Sequence, residues 1–189
     1  LLGLLCTGVI FSAQAQFEVT DLAGRKVSIP DKVERILLGE GRMLPALAIL
    51  EKKAPLQRLV GMMGDFEQLD PAGYRQWLNR FPQLATLPRI GQAQGASYSD
   101  ERALALRPQV AIFGLGGGHG PGERNREILA RLEQSGTAVL FVDFRHDPLT
   151  NTPRSIELLG RVLGRNAEAA EFNAYWHQQL ERVRSRLPT

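Results

Sequence analysis

Short apolar runs recur along this chain, each followed by a loop and then by a segment with helical spacing. The runs are Arg35-Ile36-Leu37-Leu38, Val110-Ala111-Ile112-Phe113 and Ala138-Val139-Leu140-Phe141-Val142, and Gln57-Arg58-Leu59-Val60 reads as a further strand. Runs of this length suit strands of a parallel sheet covered on both faces. Between them, Leu44, Leu47, Ala48 and Glu51, with Leu50 beside them, mark a helix over about 43–53. Asp70-Pro71 supplies the N-cap and first residue of a second helix, which carries Tyr74, Trp77 and Leu78 on one side. Ser99 and Asp100 cap a third, with Ala103, Leu104 and Leu106 facing one way. Arg107-Pro108 ends it, because a residue before proline is pushed out of the α region. A fourth helix spans 123–135 around Ile128, Leu129 and Leu132, and Gly136 stops it. This alternation predicts right-handed crossovers and a mainly parallel sheet.

Both ends depart from the repeat. Phe17-Glu18-Val19-Thr20 and Lys26-Val27-Ser28-Ile29 read as two strands joined by the turn Asp21-Leu22-Ala23-Gly24-Arg25, in which Gly24 is free to take φ > 0. Pro30 stops the second strand. After the last apolar run a helix is expected over 152–163, a break at Gly164, and a longer helix over 166–187. Phe172, Tyr175, Trp176, Leu180, Val183 and Leu187 make one apolar stripe on that helix. With no strand after it, the stripe either packs on the same lobe or bridges to a further body.

Composition narrows the possibilities. A chain of 189 residues can bury one sizeable core. Residues 1–15, LLGLLCTGVIFSAQA, carry no charge and end in Ala13-Gln14-Ala15, the pattern of the apolar part and cleavage site of a secretory signal. The only cysteine, Cys6, lies there, so the mature chain would hold none, which suits an oxidising compartment. Leu4-Leu5 before it lacks the small residues of a lipoprotein site. The net charge of +3 is spread over scattered arginines, without the basic and aromatic stripe that nucleic-acid binding needs. The glycine-rich stretch 114–120 lacks the Gly-Lys-Ser/Thr ending of a phosphate loop and the glycine spacing of a dinucleotide turn, and reads as a flexible rim. No nucleophile elbow occurs, and Asp143 with His146 shows no third partner for acid–base work. Three histidines, His119, His146 and His177, are too few for a bare-metal site built from this chain alone.

Three segments in order, VTDLAGRKVSIPDKVERILL, SYSDERALALRPQVAIFG and NTPRSIELLGRVLGRNAEAAEFNAYWHQQL, resemble the periplasmic substrate-binding proteins of ABC importers for ferric siderophores, haem and cobalamin. The resemblance covers nearly the whole mature chain. It implies a signal peptide at 1–15, an N-terminal ligand-binding α/β lobe at 16–150, and a connecting helical segment at 151–189. The expected fold is a three-layer lobe with a mainly parallel sheet, followed by a long inter-lobe helix, the second lobe being absent from this sequence. The implied function is capture of an iron chelate, siderophore or haem, for an inner-membrane permease, in a receptor that is monomeric at full length and has neither turnover nor a resident cofactor. Cobalamin or a metal ion is the alternative cargo on the same fold, and a small α/β enzyme is a weaker one.

By this resemblance the cleft loops fall at 39–42, 62–65, 92–96, 115–119 and 143–146. Glu40, Arg42, Asp65, Gln92, Gln94, His119, Phe144 and Arg145 are the ligand-binding candidates. Arg42 is the expected partner of a catecholate, carboxylate or propionate, because its planar fork makes bidentate contacts; the alternative is a surface arginine bridged to Glu40. Phe144 and Arg145 are placed to stack on a ligand ring, although a strand-end aromatic also suits the core. Glu101 matches the glutamate with which such lobes dock on their permease, and it also suits the first turn of a helix.

Overall fold

The computed structural model describes residues 15–93, 98–116, 121–122 and 125–187. The uncharged leader through Gln14, with Cys6, lies outside them, as do Gln94 and His119. Strands β1 (Gln16–Thr20) and β2 (Lys26–Pro30) form an antiparallel hairpin, and Gly24 in its turn takes φ +77°. The remaining strands are β3 (Ile36–Leu38), β4 (Leu59–Met62), β5 (Val110–Gly114) and β6 (Ala138–Val142). They make a sheet of order β4-β3-β5-β6 in which every pairing is parallel.

Side-chain alternation divides the core in two. Ile36, Leu38, Ile112, Leu140 and Val142 pack on one face with Leu44, Leu47 and Leu50 of α1 (Leu44–Glu51) and with Ile156 and Leu159 of α6 (Pro148–Leu163). Leu37, Ala111, Phe113, Val139 and Phe141 pack on the other with Ala103 of α4 (Asp100–Ala105) and Leu129 and Leu132 of α5 (Arg126–Gln134). Burying each such leucine or phenylalanine contributes about 1.5–3 kcal/mol. The result is the expected three-layer α/β/α lobe.

Several boundaries differ from the pattern. Strand β4 starts at Leu59, and Arg58 before it turns its guanidinium to Glu51, 3.1 Å away, and to the carbonyls of Val33 and Leu163. Strand β4 continues through Met62, at the start of the expected loop 62–65, and a short helix without a sequence expectation, α2 (Asp65–Leu69), precedes α3 (Pro71–Arg80), which has Asp70 as its cap. Pro108 does keep Arg107 out of the right-handed helical region. It lies at φ +46° rather than extended, and the Arg35 guanidinium binds the Leu106 and Arg107 carbonyls there. Helix α6 begins at Pro148, four residues before the expected start, with the Asp147 carboxylate accepting from Thr150 N–H.

Both margins of the sheet are occupied. Beside β6, Leu22 N–H donates to the Phe141 carbonyl, Phe141 N–H to the Asp21 carboxylate, and the Arg25 guanidinium to the Val139 carbonyl. Beside β4, Met62 N–H donates to the Pro88 carbonyl and Ile90 N–H to the Met62 carbonyl. Unpaired strand edges invite intermolecular pairing, and these contacts remove the invitation.

Helix α7 (Asn166–Arg184) follows a left-handed Gly164. Pro153 inside α6 has no N–H for the carbonyl of Leu149, four residues earlier. The Trp176 indole N–H donates to that carbonyl instead, at 3.3 Å, and the Asn173 side chain donates to the Pro153 carbonyl at 2.9 Å. Phe172 packs on the core, whereas Tyr175, Val183 and Leu187 face solvent. The stripe is therefore only partly covered: Phe172, Trp176 and Leu180 are half-buried, and Tyr175, Val183 and Leu187 are open. Among the described residues, no helix is long and apolar enough to cross a membrane.

Candidate functional site

The chain leaves β3 toward β4 on one side and leaves β5 toward β6 on the other. The carboxyl ends of β3 and β5 therefore flank the point where the strand order reverses, the place where open α/β sheets hold ligands. A crevice of about 220 Å³ opens there, lined by Glu40, Arg42, Met43, Gly114, Leu115, Val142, Asp143, Phe144 and Arg145.

Its floor is an ion pair with a buried carboxylate and a half-exposed guanidinium. Glu40 follows β3 through Gly39, whose N–H donates to the Ile112 carbonyl at 2.8 Å, and its side chain is 1% exposed. Arg145, 43% exposed, reaches over from the loop after β6 and donates from both terminal nitrogens to the two Glu40 oxygens, one at 3.0 Å. This pairing raises the Arg145 guanidinium above its ordinary range. Gly114 is required beneath the pair: a Cβ there would stand 2.5 Å from Glu40 Oε1. Gly114→Ala is expected to cost about 1–3 kcal/mol through overpacking and to loosen the crevice. Urea denaturation checks this, and an unchanged midpoint would show that Glu40 shifts freely.

A second pair lies beside the first. Asp65, at 0% exposure, accepts from Gly41 N–H at 2.5 Å and from Arg42 Nε at 3.3 Å, and Arg42 is 36% exposed. The bridge to Glu40 envisaged for Arg42 is thus not made, because Arg145 takes Glu40 and Asp65 takes Arg42.

The loop that carries Arg145 is shaped by Asp143. Its Oδ1 accepts from Arg145 N–H at 2.9 Å, His146 N–H at 3.0 Å and His146 Nδ1 at 3.1 Å, and its Oδ2 from Asn151 Nδ2 at 2.8 Å. The buried Ser155 hydroxyl accepts from Asp143 N–H and donates to the Asp143 carbonyl. Burial alone would raise the Asp143 carboxyl; the backbone N–H groups of His146 and Arg145, with Asn151 and the His146 ring, outweigh it and hold it well below the usual carboxylate range. The third partners not evident in sequence are therefore Asn151 and Ser155, and they hold the loop's shape. Their i, i+4 spacing at the start of a helix was the available signal. His146 lies against Gly116, which takes φ +80° where a Cβ would strike the imidazole ring.

The other candidates divide. Phe144 is half-buried, packing on the core while lining the crevice. Gln92 is exposed and meets the Gln68 side chain away from the crevice lining. Gln94 and His119 lie outside the described residues. Glu101 is exposed in the first turn of α4, where the Ser99 hydroxyl caps by accepting from Arg102 N–H. Ser99 N–H donates to the Ile90 carbonyl, which places this turn near the carboxyl end of β4. Among the described residues no group of three or more His, Cys, Asp or Glu side chains is gathered to hold a metal ion.

No family model and no curated protein matches the sequence. Solved structures match the fold. The TroA-like periplasmic binding protein FepB from Veillonella parvula aligns with a TM-score of 0.73 at 23% identity, over 91% of this chain and 50% of its own. This chain has the fold of half a TroA-like periplasmic binding protein. The molybdate-bound periplasmic binding protein MolA from Haemophilus influenzae gives a TM-score of 0.63 at 20% identity, over 82% of this chain and 48% of its own. The haem-binding protein HmuT gives 0.56 at 19%, over 85% and 44%. The chain spans about half the length of these structures. In this lobe the crevice at the carboxyl edge lies between the loop after β3 and the loop after β6, with the end of β5 between them.

Proposed function

We propose that this chain supplies one lobe of a periplasmic solute-binding component of an ABC importer, which captures an iron chelate, siderophore or haem, and passes it to the permease. The observation that carries the reading is the crevice at the strand-order reversal, where Arg42 and Arg145 stand half-exposed on buried carboxylates. Guanidinium groups fixed in this way present donors to oxygen-rich ligands without having to be ordered first. The neighbours' cargoes, haem for HmuT and molybdate for MolA, accord with a binding role. The reading includes export by the leader at 1–15 and no turnover.

The test is a titration of the full-length protein, followed by tryptophan emission, with a ferric tris-hydroxamate, a ferric tris-catecholate, haem and cobalamin. A saturable change with an iron chelate or haem supports the reading. A response to cobalamin alone moves the cargo to that class, and no response to any of the four overturns it.

Glu101 carries the docking part of the proposal, since its exposed position in a capped first turn leaves the carboxylate free for a cationic partner. Glu101→Lys is expected to lower stimulation of the permease ATPase at least about tenfold, as for a truncated interfacial ion pair, with chelate affinity unchanged. Equal loss of both would place Glu101 in the ligand site instead.

A further inference from the structure

The charges of the described residues around the crevice do not favour a polyanion. Arg42 and Arg145 are its described cations, and each is already matched by a carboxylate that cannot move away, Asp65 at 0% and Glu40 at 1% exposure. Asp143 adds a third carboxylate at the same rim, buried and committed to backbone and side-chain donors. The described groups therefore hold more carboxylate than guanidinium. What the arginines retain is hydrogen-bonding capacity: the terminal nitrogens of Arg42 and the Nε of Arg145 bond to no described residue. Such a surface offers N–H donors without surplus positive charge. It rewards neutral acceptor oxygens and repels concentrated negative charge.

We infer that Glu40 is a specificity-determining residue which sets this crevice for a chelate of zero or low net charge, of the hydroxamate or amide-oxygen type, and against highly anionic chelates. The inference rests on the receptor reading above and deepens it. Glu40 is the group that decides, because it is the carboxylate lining the crevice directly beneath Arg145. A carboxylate about 8 Å from a ligand bearing three negative charges weakens its binding about tenfold even at the dielectric of water.

The experiment uses the full-length protein, wild type and Glu40→Gln, with two probes: a neutral ferric tris-hydroxamate and a ferric tris-catecholate of charge −3. Wild type is expected to bind the hydroxamate at least about tenfold more tightly. Glu40→Gln keeps the side-chain shape and an acceptor for Arg145, and should narrow that ratio about tenfold by improving catecholate binding. Tighter catecholate than hydroxamate binding by wild type, or a ratio unmoved by Glu40→Gln, overturns the inference while leaving the receptor reading in place. Failure of both probes, of haem and of cobalamin overturns the receptor reading itself. If Glu40→Gln does not fold, the salt dependence of wild type decides. Screening should strengthen catecholate binding, and weakening by salt would overturn the inference.

Discussion

Asp143→Ala is expected to destabilise the protein by about 2–4 kcal/mol, since several hydrogen bonds to one buried carboxylate are lost together, and to weaken ligand capture at least about tenfold. The substitution leaves Arg145 N–H, His146 N–H and the Asn151 amide without their protein acceptor at a partly buried loop. The same loop delivers Arg145 to Glu40, so stability and site geometry fall together. Asp143→Asn separates them, since an amide oxygen still accepts from part of the network without the charge. The pH dependence follows from the depressed carboxyl. A group whose pKa is lower when folded stabilises above its unfolded value, about 3.9 for aspartate. That contribution is lost progressively as pH falls below about 5. Urea midpoints should therefore fall more steeply between about pH 5 and pH 3 in wild type than in Asp143→Asn. Parallel curves would show that Asp143 titrates normally.

The second large effect lies at the outer edge of β6. Asp21 is buried, and it accepts from Ala23 N–H at 3.0 Å, Arg25 N–H at 2.9 Å, Arg25 Nε at 3.0 Å and Phe141 N–H at 3.3 Å. Arg25 in turn lies over the Phe141 ring at 4.6 Å and holds the Val139 carbonyl. Asp21→Ala strands a strand N–H and removes one of the two carboxylates that hold Arg25, and is expected to cost about 2–4 kcal/mol. It should also expose the outer edge of β6, so that light scattering rises during refolding at high concentration. Asp21→Asn should recover part of the stability. A loss below about 1 kcal/mol for alanine would mean that the hairpin turn holds its place without the carboxylate.

Local chemistry made much of this architecture legible. Val110 to Phe113 and Ala138 to Val142 are strands because nothing in them tolerates water, and Asp70-Pro71 and Ser99 start helices by the caps they supply. The loops that meet at the carboxyl edge were also readable, since each follows an apolar run. Pairing was not. Glu40 and Arg145 are 105 positions apart, and which arginine takes which carboxylate depends on the sheet order, which no local pattern contains. Arg42 illustrates the point: its neighbour in sequence is Glu40, but the path of the chain through Gly41 brings Asp65 to it. Asp21 looked like ordinary turn chemistry, because its second role depends on where β6 comes to lie.

The two tryptophans lie in different settings, Trp77 in the aromatic cluster with Phe66 and Phe81, and Trp176 on α7. Trp176 is bonded to the carbonyl that Pro153 leaves free, and that carbonyl belongs to Leu149, four residues beyond Arg145. The indole thus touches the first turn of the helix into which the Arg145 loop runs. Any displacement of that loop by a bound molecule pulls on a hydrogen-bonded fluorophore. If the proposed ligand moves that loop, Trp176 would report it, and replacing Trp77 by phenylalanine would leave Trp176 as the single tryptophan through which to read the change.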